Sequence, residues 1–428
     1  MTDGHAPMGG NVGVRDILRI RDYRWLLGGQ AVSDIGDGIT LLLLLLVINE
    51  LTGSTAALAL MAIAEAVPQF TVGLVAGVYV DRWNRRTVML AADLLRAVVV
   101  IGFAFGAAME LLPLLYVLGF VQASISTFFR PARGALLPRI VPAAGLPAAN
   151  SLAQGSMVIG SVIGAGIAGL IFGTFGSGVA GFAIDAATFL VSFAFVSRIT
   201  ASLGEIRPDG TVGAGQRDVR RSLLEGIAVV RGSRLLGGTL LAAAVSMLGL
   251  GAVNVLFVPL LINDLGVSAT WMAGIELAQT SAMILAAGVV AILARRFAPT
   301  TIITVALLGV AGCIGILAGV TAVWQVLVAL FIVGWMVTPL QAMLQTIVQT
   351  AATDATRGRV VALLQASLST ASVVSMAIGG VLGDLIGIRM VYAGAAVIVA
   401  GAAVVAFLMF RGAPRGTAAA PVVPVEAS

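Results

Sequence analysis

Twelve mostly apolar stretches of about 20 residues or more recur along the chain, near 24–49, 56–80, 87–109, 112–130, 146–173, 178–198, 237–262, 271–294, 300–319, 322–347, 361–386 and 390–410. A helix of that length matches the roughly 30 Å hydrocarbon core of a bilayer. The breaks between stretches are short except for one, RITASLGEIRPDGTVGAGQRDVRRSLLEGIAVVRGSR, between the sixth and the seventh. Its first part reads as a Gly-rich linker. Its second part reads as an amphipathic helix with Leu223, Leu224, Ile227 and Val230 on one face. The expected architecture is an all-α membrane protein of twelve transmembrane helices in two six-helix bundles. Residues 1–21 form a cytoplasmic N-terminal segment, 22–200 and 235–411 the bundles, 201–234 the linker, and 412–428 a disordered cytoplasmic tail.

Composition supports the bilayer as solvent. Of 428 residues 59% are hydrophobic and only 11% charged, and the mean hydropathy is +1.05. Soluble domains carry about a quarter charged residues. The single cysteine, Cys313, excludes an intramolecular disulfide or a thiolate cluster, and the only histidine, His5, lies in the polar N-terminal segment. No metal site and no cofactor are expected. There is no Gly-rich phosphate loop ending in Lys and no lysine at all, so ATP hydrolysis by this chain is not expected. An enzyme is disfavoured for the same lack of catalytic residue sets.

The arginines give the direction of threading. Arg15, Arg19, Arg21 and Arg24, then Arg82, Arg85 and Arg86, then Arg130, Arg133 and Arg139 fall in alternate connections. So do the linker arginines, Arg295 with Arg296, Arg357 with Arg359, and Arg411 with Arg415. Cationic segments stay in the cytoplasm, which places both termini inside. The pI near 10.3 is then a sign of topology, and nucleic acid is not an expected partner.

The two halves echo each other. Glu65 precedes Gly77 by twelve residues and the loop DRWNRR follows; Glu276 precedes Gly288 by twelve and ARRF follows. Repeats of this kind are typical of transporters whose halves rock about a central site. GVYVDRWNRRTVML, residues 77–90, resembles the signature loop of the major facilitator superfamily, Gly-x-x-x-Asp-Arg-x-Gly-Arg-Arg/Lys, through Gly77, Asp81, Arg82, Arg85 and Arg86, with Asn84 at the usual glycine. YRWLLGGQAVSDIGD with LTGS, AADLLRA, FFRPARGALLP, AANS, AIDAATFLVS and TRGRV are similar to the macrolide-efflux and enterobactin-exporter branch. The resemblance implies that the signature loop latches the halves on the cytoplasmic side, with Asp93 and Arg96 as an extension of that network. It also implies that helices one, four, seven and ten line the central cavity.

Departures from the family pattern limit what carries over. Gly119 stands where the family's fourth helix often has a proton-transfer arginine, ahead of Gln122 and Ala123. GSVIGAGIAG, residues 160–169, keeps Gly160, Gly164 and Gly169 of the antiporter pattern, with Ala165 in place of proline. Ile292 takes the place of Asp81 in the second-half loop.

Carboxylates inside the spans are the chemical clue. A charged carboxylate at mid-bilayer costs at least about 2.5–3.5 kcal/mol, so it faces a cavity, pairs or binds a proton. Asp34 and Asp37, three residues apart in the first helix, Glu65 in the second and Glu276 in the eighth are candidates for proton coupling or substrate charge. Asp185 reads as structural, and Asp384 as too near the external end to count. Gln122, Ser126, Asn254, Gln341 and Gln345 are candidate cavity polar groups, with Trp335 and Phe257 as stacking surface. The expected function is a monomeric secondary transporter of a bacterial inner membrane. It exports amphipathic or hydrophobic small molecules of the drug or macrolide kind, by proton antiport and alternating access. A siderophore exporter and a lipid or lysolipid transporter remain the alternatives, with a non-transporting receptor or scaffold more remote.

Overall fold

The computed structural model describes residues 13–73, 76, 79–80, 83–200 and 219–411, and among these there is no β-strand. After a short helix, Val14–Ile17, twelve apolar helices follow. They are α1 Arg21–Thr52, α2 Thr55–Thr71, α3 Arg85–Ala108, α4 Leu112–Ile140, α5 Leu146–Phe175, α6 Val179–Ser197, α7 Arg234–Pro259, α8 Met272–Arg296, α9 Pro299–Ala318, α10 Val323–Ala351, α11 Asp354–Ile386 and α12 Ile388–Phe410. Eleven are long and apolar enough to cross a bilayer, and α2 is the shorter twelfth. Gly77, Asp81 and Arg82 lie outside the described residues, as do 201–218 and the tail 412–428. The chain is a multi-pass membrane protein.

Local chemistry sets the helix ends. Gly53 closes α1 in the left-handed region at φ 60°, which costs glycine no Cβ clash. Ser54 then caps α2, its hydroxyl accepting from the Ala57 N–H. Asn84, the residue that replaces the family glycine, caps α3 by accepting from the N–H groups of Arg86 and Thr87. The fourth span runs further than its apolar stretch. Arg130–Pro131 marks its end in the sequence, yet α4 continues to Ile140 with Pro131 and Pro138 inside it. Ala132, Leu136 and Leu137 in these last turns are buried against the first half, and that packing carries the helix past the prolines.

Within the first half α1 packs on α5 and α6, α3 on α4 and α6, and α2 on α4. In the second half α7 packs on α11 and α12, α9 on α10 and α12, and α8 on α10. Each pairing recurs with helices shifted by six, which is the pseudo-symmetry that the repeated Glu and Gly positions announce. A helix over Val219–Gly232 leads into α7 and packs on α11 and α7.

The halves join along two seams, α2 with α11 and α5 with α8. Gly166 lies against Ala273, and Gly173 against Thr270. Thr55 and Ala56 lie against Gly380, and Thr55 also against Gly383. Between described residues every hydrogen bond that crosses from one half to the other sits at this same end, opposite the arginine-rich one. Asn49 and Asn263 exchange amide bonds at 2.9 and 3.0 Å. Asp384 of α11 accepts from Ser54 and Thr55 at the start of α2.

Candidate functional site

Close contacts on both sides hold the segment Asp34–Gly38 of α1, backbone on backbone with α5 and backbone on side chain with α6. A Cβ on Gly160 of α5 would stand 2.7 Å from Asp34 Cβ, and one on Gly164 would run into the Ile35 carbonyl. The surviving glycines of the antiporter-like stretch therefore let two backbones touch here, as small residues do between membrane helices. On the other face Gly36 lies against Asp185 and Thr188 of α6, with no room for a Cβ. The register of α1 is thereby set from two directions.

That register divides the carboxylates. Asp185 is fully buried; its carboxylate accepts from Thr40 Oγ1 at 2.5 Å and from Thr188 Oγ1 at 2.9 Å. Asp34 accepts from Ser156 Oγ at 3.2 Å. Asp37 is the open one: its side chain is half exposed, and its nearest ion partner among the described residues is Arg96 Nη1 at 3.8 Å, with Arg130 of α4 acting from further away.

Sequence groups Asp93 and Arg96 with the signature loop, and the structure moves both into the interior of the first half. Arg96 lies some three turns into α3, with 3% exposure, and Asp93 has none. Arg96 Nη2 donates to Asp93 at 2.5 Å, and Ser192 Oγ donates to the other Asp93 oxygen at 2.8 Å. The guanidinium is closed between Phe129 and Phe189, 4.3 and 4.4 Å from their centroids. Two rings on its faces leave the guanidinium edge as its one polar outlet. Asp93 takes one edge nitrogen at close range and Asp37 shares another at longer range. Asp34, Glu65 and Asp185 also lie within electrostatic reach of Asp37. Arg130 also lies within electrostatic reach of Asp37, and Arg133 of Asp34, so several carboxylates here share Arg96 with two arginines of α4.

The loop arginines behave differently. Arg86 donates to the carbonyls of Val196 and Ser197 at the end of α6, at 3.3 and 2.5 Å, so it ties the start of α3 to its own half. In α2 the Glu65 stem lies beside Gly119 of α4: a Cβ there would be 3.8 Å from Glu65 Cγ and would overlap the Met61 methyl. The space next to the family's arginine position is thus filled by Met61, with Glu65 alongside. Glu276 is half-buried on α8, one turn beyond the Ala273 crossing with α5.

Of the remaining candidates, Asn254, Gln341 and Gln345 are exposed on α7 and α10, and Phe257 and Trp335 are half-buried. Gln122 is half-buried with its Oε1 buried and unpartnered, and Ser126 Oγ donates to the Gln122 carbonyl one turn back. The described residues hold no cluster of three or more His, Cys, Asp or Glu placed to grip a metal. Sequence reasoning missed Thr40, Ser156, Phe129, Phe189 and Ser192. Only their positions in α1 and α4–α6 make them partners, and no spacing in the chain announces that.

A sequence profile of the Major Facilitator Superfamily matches residues 26–321 and, again, 239–425. The chain belongs to the Major Facilitator Superfamily. Among its relatives is the multidrug efflux pump Tap of Mycolicibacterium fortuitum, 27% identical over 86% of this chain and 90% of Tap. The uncharacterised superfamily-type transporter YfiS of Bacillus subtilis (strain 168) is 28% identical over 86% and 88%. Macrolide efflux protein A of Streptococcus pyogenes is 29% identical over 55% and 57%. The crystal structure of a mutant of nucleoside transporter NupG superposes with a TM-score of 0.74 at 11% identity, covering 91% of this chain and all of that one. The Major Facilitator fold read from the signature loop and the repeat is therefore the fold of this chain, and its relatives are membrane transporters.

Proposed function

We propose that this protein is a secondary active exporter of amphipathic small molecules, driven by inward proton movement, with Asp37 as the coupling carboxylate. The arrangement of Asp37, Arg96 and Asp93 carries this reading. One guanidinium neutralises one carboxylate, and Asp93 holds it with the shorter bond and a serine behind it. Asp37 is left with a 3.8 Å share of Arg96, the more distant charge of Arg130, and half its side chain exposed. At this depth a charged carboxylate is stabilised by a proton or by a cationic group from outside the protein. A proton and a cationic amphipathic substrate then compete for one position, and that competition couples opposite fluxes. Relatives whose names record multidrug and macrolide efflux support the direction and the substrate class.

Threading by the inside-positive rule makes the arginine-rich end cytoplasmic. The hydrogen bonds between the halves that join described residues, Asn49 with Asn263 and Asp384 with Ser54, Thr55 and Ala56, then lie on the external side. Glu65 beside Gly119 and Glu276 of α8 are the second-line charge sites. Gln122, Asn254, Gln341, Gln345, Phe257 and Trp335 line the path.

Proteoliposomes containing the purified protein, given a pH gradient and a cationic dye or a macrolide, test the reading. Dye movement that follows the gradient and is lost in Asp37→Asn supports it. Movement unaffected by collapsing the proton gradient removes proton coupling.

A further inference from the structure

Asp384, discounted in the sequence for its place near a helix end, makes the densest set of bonds between the halves. One carboxylate oxygen accepts from the Thr55 N–H at 2.7 Å and from Thr55 Oγ1 at 2.8 Å. The other accepts from Ser54 Oγ at 2.6 Å and from the Ala56 N–H at 3.2 Å. Thr55 Oγ1 also bonds the Gly380 carbonyl at 2.5 Å. These donors are the free N–H groups and the cap of the first turn of α2, where a negative charge is favoured. Gly380 and Gly383 make the approach possible: a Cβ on Gly380 would collide with Ala59, and one on Gly383 with Thr55.

The residues around Asp384 repeat the spacing of the signature loop. Gly380-Val-Leu-Gly-Asp384-Leu-Ile-Gly387-Ile-Arg389 sets Gly, Asp and Arg at the intervals of Gly77, Asp81 and Arg86, and Gly387 falls where Asn84 replaces glycine. The arginines match in structure as well as spacing. Arg86 binds carbonyls at the end of α6. Arg389 reaches the Ala318 carbonyl at the end of α9 at 3.5 Å, and pairs with Asp264 of its own half at 3.3 Å. Asp384 and Gly380 meet the start of α2 at one end of the α2–α11 seam.

We infer that Asp384 is a second latch, an inverted copy of the signature loop. It holds the end of the protein opposite the arginine-rich one shut by capping α2 across the seam, and it must let go for that end to open. Arg389 anchors the α11–α12 corner to its own half, so that breaking the Asp384 bonds frees the halves from each other and leaves each intact. This latch and the Asp81 loop then close in turn during the cycle. This inference uses the two-half alternating cycle of the proposed function, but neither its substrate nor its driving ion.

Double electron–electron resonance on the purified full-length protein in lipid nanodiscs tests it, with spin labels at cysteines replacing Leu111 and Thr321, one in each half at the latched end. A second pair replacing Arg139 and Phe297 reports the other end, and a pair within one half reports the fold. In Asp384→Asn the long-distance population at the Leu111/Thr321 end rises at least about tenfold, as the loss of charge-assisted bonds requires. Thr55→Val produces the same change from the opposite partner, and the double variant goes no further than the stronger single one. An unchanged distribution in both single variants, with the within-half pair intact, overturns the latch. Failure of the proton or substrate assignment leaves these distances as they are, so the two proposals fall separately.

Discussion

Arg96 is the shared counter-ion of two carboxylates on different helices, bonded to Asp93 at 2.5 Å and standing 3.8 Å from Asp37. The bonds are unequal because Ser192 and the α3 backbone fix Asp93, while α1 brings Asp37 only to the edge of the guanidinium. The weaker bond is the one that a proton or a substrate cation can replace at small cost. Under the proposed function the two aspartates take separate roles, coupling for Asp37 and retention of the arginine for Asp93.

Asp37→Asn keeps the size of the side chain and removes its charge. Uptake of dye into inverted vesicles falls by at least about tenfold under a pH gradient, the scale of a lost ionic coupling, while the melting temperature in detergent changes little. Asp37→Asn with full gradient-driven uptake would assign coupling to Glu65 or Glu276 instead.

Arg96→Gln strands Asp93 as an unpaired buried charge. Removing one partner of a buried pair costs about 3–5 kcal/mol, so the variant expresses poorly and melts early. Asp93→Asn in the same chain restores much of the melting temperature without restoring transport. A double variant no more stable than Arg96→Gln alone would mean that the phenylalanine sandwich, and not the charge pair, holds α3 in place.

Gly36→Ala puts a methyl group into the Asp185 carboxylate and Thr188. Overpacking of this kind costs about 1–3 kcal/mol, and it also displaces Asp37 one residue along. Thermal unfolding and transport should therefore fall together. Gly134→Ala, on α4 with open space around the same position, serves as the control and should alter neither.

Asp81→Asn should greatly reduce transport while the protein remains in the membrane at its normal level, because the resemblance gives this loop the arginine-rich latch. Surface labelling alongside flux separates loss of activity from loss of protein. Near-normal flux would confine the loop to setting topology.

The twelve spans are legible in the chain because a bilayer imposes one length and one composition on every helix, and the Glu, Gly and Arg offsets reveal the duplication. Helix ends are less legible. α4 runs past Arg130–Pro131 because Ala132, Leu136 and Leu137 beyond them are buried against the rest of the first half, a long-range packing that the arginines and prolines mask. Asp37 is visible as an expensive charge, but its partner is not. Arg96 sits beside Asp93 in AADLLRA, and that near neighbour masks a second partner 59 positions away on α1. Asp185 reads as structural, and its three-sided enclosure by Gly36, Thr40 and Thr188 fits that reading. Asp384 has a signal in the chain, the Gly-x-x-x-Asp-x-x-Gly-x-Arg interval, which its nearness to the end of α11 obscures.

The other bond across the closed end has a different character. Asn49 and Asn263 join α1 to the turn after α7 through two amides, each giving and receiving once. Neither amide takes up or loses a proton in the range a living cell meets. In the proposed proton-driven cycle an acidic exterior could act on the outer seam at the Asp384 carboxylate, but not at this asparagine pair. Along this line of contact acidity has nothing to act on, so the strength of the α1–α7 closure stays constant as the gradient rises and falls.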